Sequence, residues 1–132
     1  MRKQLINPPQ IYDGSQFGMS QAVIDTALST VYISGQVDWQ TNHQVSSHTV
    51  EGQLKTALAN LTTVLETSGS SVESLFSLRV YIRGEVGEFI GDIAPILAQY
   101  LGESRPSLTI IGVSSLGYPE ILVEIEATAA LT

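Results

Sequence analysis

The sequence predicts an α+β domain in which one face of a β-sheet is not covered by helices. Runs of β-branched or alternating residues predict five or six strands, whereas apolar residues recur at helical spacing in only two segments. Two helices cannot cover both faces of such a sheet, so one face must be solvated or lie against another chain. With 132 residues the chain has the size of one domain, which we place at residues 1–132.

The N-terminal part of the sequence predicts two strands. Ala22–Asp25 is a candidate strand, and Val31–Val37 is a stronger one because it is rich in β-branched residues. Gly35 within the second run indicates a bulge, or a point where a ligand or another backbone comes close. Residues 8–18 and 40–47 are polar or rich in Pro and Gly, which predicts loops.

The two predicted helices lie in the middle of the chain. Residues 50–65 carry apolar side chains at helical spacing, with Ser47 or His48 as the expected N-terminal cap and Gly69 as a left-handed stop. A second helix is expected to follow Gly84. It contains Pro95, which should kink the helix or restart it.

Three further strands are predicted at Leu75–Arg83, Leu108–Val113 and Ile121–Ala129. Side chains alternate between the two faces of a strand, so the last strand has an apolar face and a mixed face. Glu124 and Glu126 share the mixed face, which is the one expected to be left uncovered by the helices.

Composition and charge exclude several classes of function. Thirteen acidic residues against six basic ones give a net charge of −7, which argues against binding to nucleic acid. The chain has no cysteine, so disulfides, thiolate metal sites and cysteine nucleophiles are excluded. Neither a signal peptide nor a membrane-spanning run is visible, and a cytoplasmic location without membrane partners is expected.

The carboxylate pair on the last strand is the first candidate for chemistry. Side chains two residues apart on a strand lie about 6–7 Å from each other, so Glu124 and Glu126 suit general acid–base catalysis if one is desolvated. Their spacing alone favours two solvated charges on an open face. His43 and His48 lack a neighbouring carboxylate at metal-ligand spacing, so we expect surface residues and no metal site.

A resemblance to a known family rests on segments spread along the whole chain. The most specific of them is Val-Glu-Ile-Glu-Ala at the end of the sequence. The matching segments are Asn7–Pro9, Ser20–Val23, Ile33–Gln36, the helix ending at Gly69, Leu78–Ile82, Arg105–Val113 and Leu122–Ala129. Together they resemble the signature of the Rid (YjgF) superfamily.

The resemblance implies a chorismate-mutase-like fold with a mixed sheet and two helices on one face, which assembles as a homotrimer. The open sheet faces would then surround the three-fold axis, with ligand clefts between subunits. The best-known members hydrolyse reactive enamines and imines to 2-oxo acids and ammonia, without a metal or an organic cofactor. The resemblance assigns to Glu124 the role of the cleft carboxylate that positions the attacking water.

Two positions depart from the deaminating branch of the family. Leu108 stands where that branch has the arginine that grips the substrate carboxylate, and Met19 stands where it has a tyrosine. Losing a buried arginine–carboxylate contact should cost about 1.5–3 kcal/mol of binding free energy. Arg105 does not obviously replace the missing arginine, because Pro106 fixes the local direction of the chain.

The resemblance therefore gives a site with Glu124 as the acid–base or water-positioning group and Leu108 as an apolar wall. The other expected ligand-contacting residues are Ser34 and Gly35, through their backbone, with Met19, Trp39 and Arg105. From position alone, Trp39 and Tyr118 could instead be subunit contacts or caps on the core.

Three functions remain open at this stage. The first is binding or processing of a small metabolite in the clefts, without efficient deamination of 2-imino acids. The second is a cofactor-free hydrolase, namely an enamine or imine deaminase with a rearranged carboxylate grip. The third is a non-catalytic interaction or chaperone-like module, which would tolerate loss of Glu124.

Overall fold

Six strands form one sheet in the computed structural model, which describes all residues from Met1 to Thr132. The strands are β1 (Lys3–Ile6), β2 (Ala22–Asp25), β3 (Thr30–Gln36), β4 (Leu75–Arg83), β5 (Ser107–Val113) and β6 (Val123–Ala130). The helices are α1 (Val50–Ser68) and α2 (Val86–Leu101), with single 3-10 turns at Ser15–Phe17 and Val72–Ser74. The predicted α+β class and order of elements are confirmed.

The closing strand β6 lies inside the sheet, whose order is β1-β2-β3-β6-β4-β5. It runs antiparallel to both neighbours, β3 and β4, and only β4 and β5 are parallel. Its register with β4 places Glu124 opposite Tyr81 and Glu126 opposite Arg79. The mixed sheet inferred from the sequence is therefore joined across its middle by the last segment of the chain.

Alternation along β6 separates the core from the uncovered face. Four of its side chains point towards the helices and are buried: Val123, Ile125, Ala127 and Ala129. The residues between them are only half-buried. Both helices lie on the core side, where α1 contacts β3 and β6 and α2 contacts α1 and β5. The opposite face of the sheet carries no helix, as the sequence predicts.

The ends of α1 agree only in part with the sequence prediction. Gly69 does end the helix in the left-handed region, at φ 82°. The N-cap, however, is Thr49, whose side chain accepts a hydrogen bond from the Gly52 amide at 3.1 Å, so the expectation of Ser47 or His48 was wrong. Ser47 lies two residues earlier and accepts a hydrogen bond from the amide of Thr49.

Helix α2 runs without a break through Pro95, so it does not restart there. Pro95 is exposed, and the backbone hydrogen bond that proline cannot donate is lost at the solvent side of the helix.

Neither helix of the fold has the combination of length and apolar character that crossing a bilayer requires.

Gln53 is a fully buried polar residue that links α1 to the chain just before β6. Its side-chain amide donates to the carbonyl oxygens of Ser47 at 3.0 Å and Glu120 at 2.7 Å. Its Oε1 accepts from the amide of Leu122 at 2.8 Å. Ile121 and Leu122 were expected in the last strand, but the Ile121 amide donates to the Tyr118 carbonyl oxygen and the Leu122 amide to Gln53, and β6 begins at Val123.

We predict that Gln53→Leu lowers the free energy of unfolding by about 2–4 kcal/mol, because it leaves a buried amide and carbonyl groups without partners. The measurement is urea unfolding followed by circular dichroism. Gln99→Leu makes the same substitution at an exposed position of α2 and should change stability by less than about 0.5 kcal/mol. Equal losses in both variants would contradict the role given to Gln53.

Candidate functional site

A pocket of about 160 Å³ lies where β3 ends and β6 begins. Seven of its nine lining residues are hydrophobic, and Glu124 is the one charged residue among them. The lining residues are Tyr12, Phe17, Met19, Val37, Trp39, Gly117, Tyr118, Ile121 and Glu124. The pocket therefore combines a single carboxyl group with apolar and aromatic walls.

A bulge in β3 shapes one side of this pocket. The register between β3 and β6 shifts between Ile33 and Gln36, as the glycine in this run predicts. A Cβ atom built on Gly35 would lie 2.6 Å from Cδ and 2.8 Å from Oε2 of Glu124, closer than real Cβ atoms approach. Glycine at this position thus lets the Glu124 carboxyl lie directly against the backbone.

The two carboxylates of β6 have different surroundings. Glu126 accepts a hydrogen bond from the Tyr81 hydroxyl and lies 3.7 Å from the Arg79 guanidinium. Glu124 lacks such partners, and burial, followed by the charge of Glu126, raises the pKa of its carboxyl. The interpretation of both residues as solvated charges fails for Glu124, which is half-buried and uncompensated.

Three aromatic rings of the pocket lining lie around Trp39. Its ring centre lies 5.0 Å from that of Tyr12, 4.9 Å from that of Tyr118 and 6.4 Å from that of Phe17. Trp39 itself is buried, whereas Phe17 and Tyr118 are exposed at the mouth of the pocket. Trp39 therefore belongs both to the core and to the pocket wall, which its position in the sequence left undecided.

The sequence predicts a surface position for His43. In the structure its ring instead packs against this aromatic group. Its ring centre is 5.1 Å from that of Trp39 and 5.5 Å from that of Tyr12. Nε1 of Trp39 and Nε2 of His43 are buried without a hydrogen-bond partner. A buried polar group without a partner is costly. The Nε1–H of Trp39 is thus a hydrogen-bond donor beside the pocket that no protein group uses.

Two buried glutamines hold the N-terminal loop over the pocket. Gln36 donates to Oε1 of Gln21 at 2.9 Å, and Gln21 in turn donates to the carbonyl oxygen of Tyr12 at 2.8 Å. Tyr12 donates its hydroxyl to the Met19 sulfur at 4.0 Å. Gln36 of β3 and three residues of the segment between β1 and β2 are thus connected in one hydrogen-bonded chain that fixes two of the pocket walls.

The structure brings together most of the residues predicted for the site. Met19, Trp39 and Glu124 line the pocket, and Gly35 touches Glu124. Ser34 lies beside these residues in the bulge, but its hydroxyl is bound to the Ser20 carbonyl oxygen at 2.6 Å. Its backbone is also engaged, because the Ser34 amide donates to the Gln21 carbonyl oxygen at 2.9 Å and the Ser34 carbonyl oxygen accepts from the Gln36 side chain at 3.1 Å. The predicted backbone contact of Ser34 to a ligand stays a prediction.

Leu108 and Arg105 do not reach the pocket within one chain. Leu108 pairs with Leu78, and Leu78 pairs with Ala127, which points to the helix side of the sheet. Leu108 therefore lies on the helix side, whereas Glu124 points to the other face. Arg105 is exposed in the connection between α2 and β5, with φ 46°. Their part in the site remains a prediction that requires a neighbouring chain.

Sequence reasoning missed several members of the site. Tyr12 and Phe17 lie in a segment that its Pro, Gly, Asp and Ser residues predict to be a loop. Its two aromatic side chains were therefore not counted as site residues. Gln21 and Gln36 belong to segments that were noted only for their family resemblance. Two aromatic residues in a short glycine-containing loop were the one local signal that pointed to a pocket wall.

The arrangement suits proton transfer or binding rather than metal chemistry. No group of three or more His, Cys, Asp or Glu side chains lies close enough together to hold a metal ion. A carboxyl whose pKa is raised exchanges its proton nearer to neutral pH than an ordinary glutamate does. Glu124 can therefore donate a proton, accept one or orient a water molecule.

Comparison with known proteins assigns the chain to a family. The family model described as endoribonuclease L-PSP matches residues 15–131. A RutC family protein of Pyrococcus horikoshii is 31% identical over 112 residues, which cover 83% of this chain and 84% of the relative.

Solved structures agree with this assignment. YyfB, a Rid-family protein of Yersinia pestis, is 36% identical with a TM-score of 0.73 over 99% of this chain and 100% of that one. A protein of Entamoeba histolytica described as an endoribonuclease L-PSP is 26% identical with a TM-score of 0.85, over 98% of this chain and 99% of that one. The chain belongs to the endoribonuclease L-PSP family, that is, to the YjgF/Rid superfamily.

Proposed function

We propose that this protein binds and processes a small metabolite in the Glu124 pocket, without efficient deamination of 2-imino acids. The observation that carries the proposal is the half-buried, unpaired carboxyl of Glu124 at the floor of an apolar, aromatic pocket. Desolvating a carboxyl without a partner is costly and is typical of functional sites. Glu126, two residues away, has partners and lacks this property.

The proposed reaction class is acid–base chemistry on a bound small molecule. Glu124 would orient a water molecule or exchange a proton with the ligand, while Gly35 leaves room for the Glu124 carboxyl against the backbone of the bulge. The apolar lining excludes water and strengthens the interaction of a ligand with the carboxyl.

We further propose that the protein acts as a homotrimer and that Leu108 and Arg105 of a neighbouring chain close the pocket. The uncovered sheet face supports an assembly, because Tyr32 on it is half-exposed and the aromatic and aliphatic side chains there have no cover within one chain. Light scattering tests the assembly, and a monomer at micromolar concentration would overturn it.

Deamination of 2-imino acids is the second candidate, and family membership favours it. Against it, one chain contributes no arginine or lysine to the lining of the pocket, and Leu108 stands where the resemblance places the family's arginine. The family's name also refers to RNA cleavage, which the net charge of −7 opposes.

An imine assay separates these candidates. With 2-iminobutanoate generated in the assay, we expect ammonia release at least about tenfold slower than in an arginine-bearing family member, given the missing carboxylate contact. Leu108→Arg should raise the rate. Wild-type turnover equal to that of the arginine-bearing enzyme, abolished by Glu124→Gln, would establish the deaminase instead.

Binding to the pocket is tested by fragment screening with the indole N–H resonance of Trp39, the one tryptophan of the chain, as the reporter. Fragments should shift this resonance in the wild type and in Gly91→Ala, because a Cβ at Gly91, on α2 and outside the pocket lining, meets open space. Gly35→Ala should weaken binding, since its Cβ displaces Glu124. Fragments that never shift the indole resonance would overturn a small-molecule function for this pocket.

Stability should depend on pH through Glu124. Burial, followed by the charge of Glu126, holds the pKa of Glu124 in the folded chain above the ordinary value of 4.5. Folding therefore favours the protonated form, and stability falls as the pH rises from 4.5 through the raised pKa. We predict that Glu124→Gln melts at a higher temperature than the wild type at pH 7, and at the same temperature at pH 4.

Glu126→Gln provides the control for this pH dependence, since Glu126 keeps its partners Tyr81 and Arg79 in the folded chain. The control should not stabilise the protein at pH 7. A Glu124→Gln variant that is less stable than the wild type at pH 7 would show that the carboxylate is compensated after all.

A further inference from the structure

Glu124, the carboxyl that carries the proposed function, faces a tyrosine across the strands. In the register between β6 and β4, Tyr81 stands opposite Glu124. Residues directly opposite each other on one face of an antiparallel pair have Cβ atoms about 4.5–5.5 Å apart. The hydroxyl of Tyr81 nevertheless donates to Oε1 of Glu126. The side chain that faces Glu124 therefore gives its one hydrogen bond to the neighbouring carboxylate.

The two arginines that flank Tyr81 on the uncovered face of β4 are engaged elsewhere as well. The Arg79 guanidinium lies 3.7 Å from a carboxylate oxygen of Glu126. Nη1 of Arg83 donates to the carbonyl oxygen of Pro119 at 2.6 Å. The three side chains of β4 that could donate to the pocket carboxyl thus have other partners within the same chain.

The other elements around Glu124 bring one more charge to it, and that charge is negative. The β3 bulge contributes the backbone at Gly35, while Tyr12 of the N-terminal loop and Tyr118 of the connection before β6 line the pocket. Burial, followed by the charge of Glu126, raises the pKa of the Glu124 carboxyl. The partners of Glu126 therefore affect Glu124 through the carboxylate that they hold.

The Tyr81 hydroxyl keeps its proton and can donate to one carboxylate at a time. Its hydrogen bond to Glu126, followed by burial, raises the pKa of the phenol. A tyrosine hydroxyl has a single hydrogen to donate. A hydrogen bond to a carboxylate favours the charged form of that group. The glutamate that receives this hydrogen is favoured as a carboxylate, and the other one is left to take up the proton.

We propose that Tyr81 is a positioning residue that makes Glu124 the proton-exchanging member of the pair, because Glu126 holds the Tyr81 hydroxyl. Glu126 is then a fixed charge on the uncovered face, and Glu124 exchanges its proton with a ligand or a water molecule in the pocket. The inference rests on the acid–base function proposed above and adds the residue that distributes the two roles. The contacts that carry it join β4 and β6 of the same chain.

The test is a pH titration of the Glu124 carboxyl carbon by NMR in the full-length, assembled protein, with the signal assigned by its absence from Glu124→Gln. Glu126→Gln removes the charge but keeps an oxygen that accepts from Tyr81, whereas Glu126→Ala removes both. The midpoint of Glu124 should fall in Glu126→Gln, because a negative neighbour is lost. It should fall further in Glu126→Ala, because the released Tyr81 hydroxyl can then donate to Glu124.

A double variant isolates the contribution of the hydroxyl. Tyr81→Phe combined with Glu126→Ala should titrate at a higher pH than Glu126→Ala alone, since the released donor is missing. In the otherwise wild-type chain Tyr81→Phe should not raise the midpoint of Glu124, because Glu126 holds the hydroxyl there. Tyr32→Phe is the matched control: it removes a half-exposed hydroxyl from β3 on the same face, and it should change no midpoint, alone or with Glu126→Ala.

The outcomes separate this inference from the proposed function. Equal midpoints in Glu126→Ala with and without the Tyr81 hydroxyl would overturn the positioning role, and so would a raised midpoint in the single variant Tyr81→Phe. Both results leave the acid–base function of Glu124 standing. A wild-type midpoint at or below the ordinary glutamate value of 4.5 would remove the basis of both.

Discussion

The position of β6 between β3 and β4 is the constraint on which the rest of the structure depends. The last strand of the chain hydrogen-bonds to both neighbours and joins the N-terminal hairpin strands to the parallel β4–β5 pair. Without it the sheet would consist of two separate parts. The same strand also carries the apolar residues that contact α1 and the carboxylates of the opposite face. Core and site are therefore determined by the alternation of one strand.

The pocket contains several features that are unfavourable for folding alone. Glu124 is partly desolvated without a partner, and polar atoms of Trp39 and His43 are buried without hydrogen bonds. The surrounding structure is well satisfied by comparison, since Gln53, Asp38 and Gln21 are buried with their hydrogen bonds made. Unfavourable groups concentrated in one place, in an otherwise satisfied fold, are typical of a functional site.

Family membership and the details of the pocket carry different information. The match over most of the chain identifies the fold and the superfamily. The sequence departs at two positions from the deaminating branch that the resemblance describes, since Leu108 stands where that branch has an arginine and Met19 where it has a tyrosine. Within one chain the pocket presents a carboxyl group among aromatic rings.

The sequence by itself determined the elements of this fold, because their signals are local. Helical spacing identified α1, β-branched and alternating runs identified β2 to β6 but not β1, and Gly35 and Gly69 marked a bulge and a helix end. Where competing local groups exist, as for the cap of α1, the sequence could not choose Thr49 over its neighbours. The existence of an uncovered sheet face also followed from counting helices and strands.

Only the tertiary structure decided the difference between Glu124 and Glu126. The two residues have the same type and lie on the same face, and their distinction depends on Tyr81 and Arg79 from β4, distant in sequence. The loop that carries Tyr12 and Phe17 reaches the pocket through hydrogen bonds from Gln21, and the close approach of Gly35 to Glu124 depends on the register of β3 against β6. Burial and hydrogen-bond partners are properties of contacts between distant segments. Local patterns cannot specify those contacts, whereas the packed fold does.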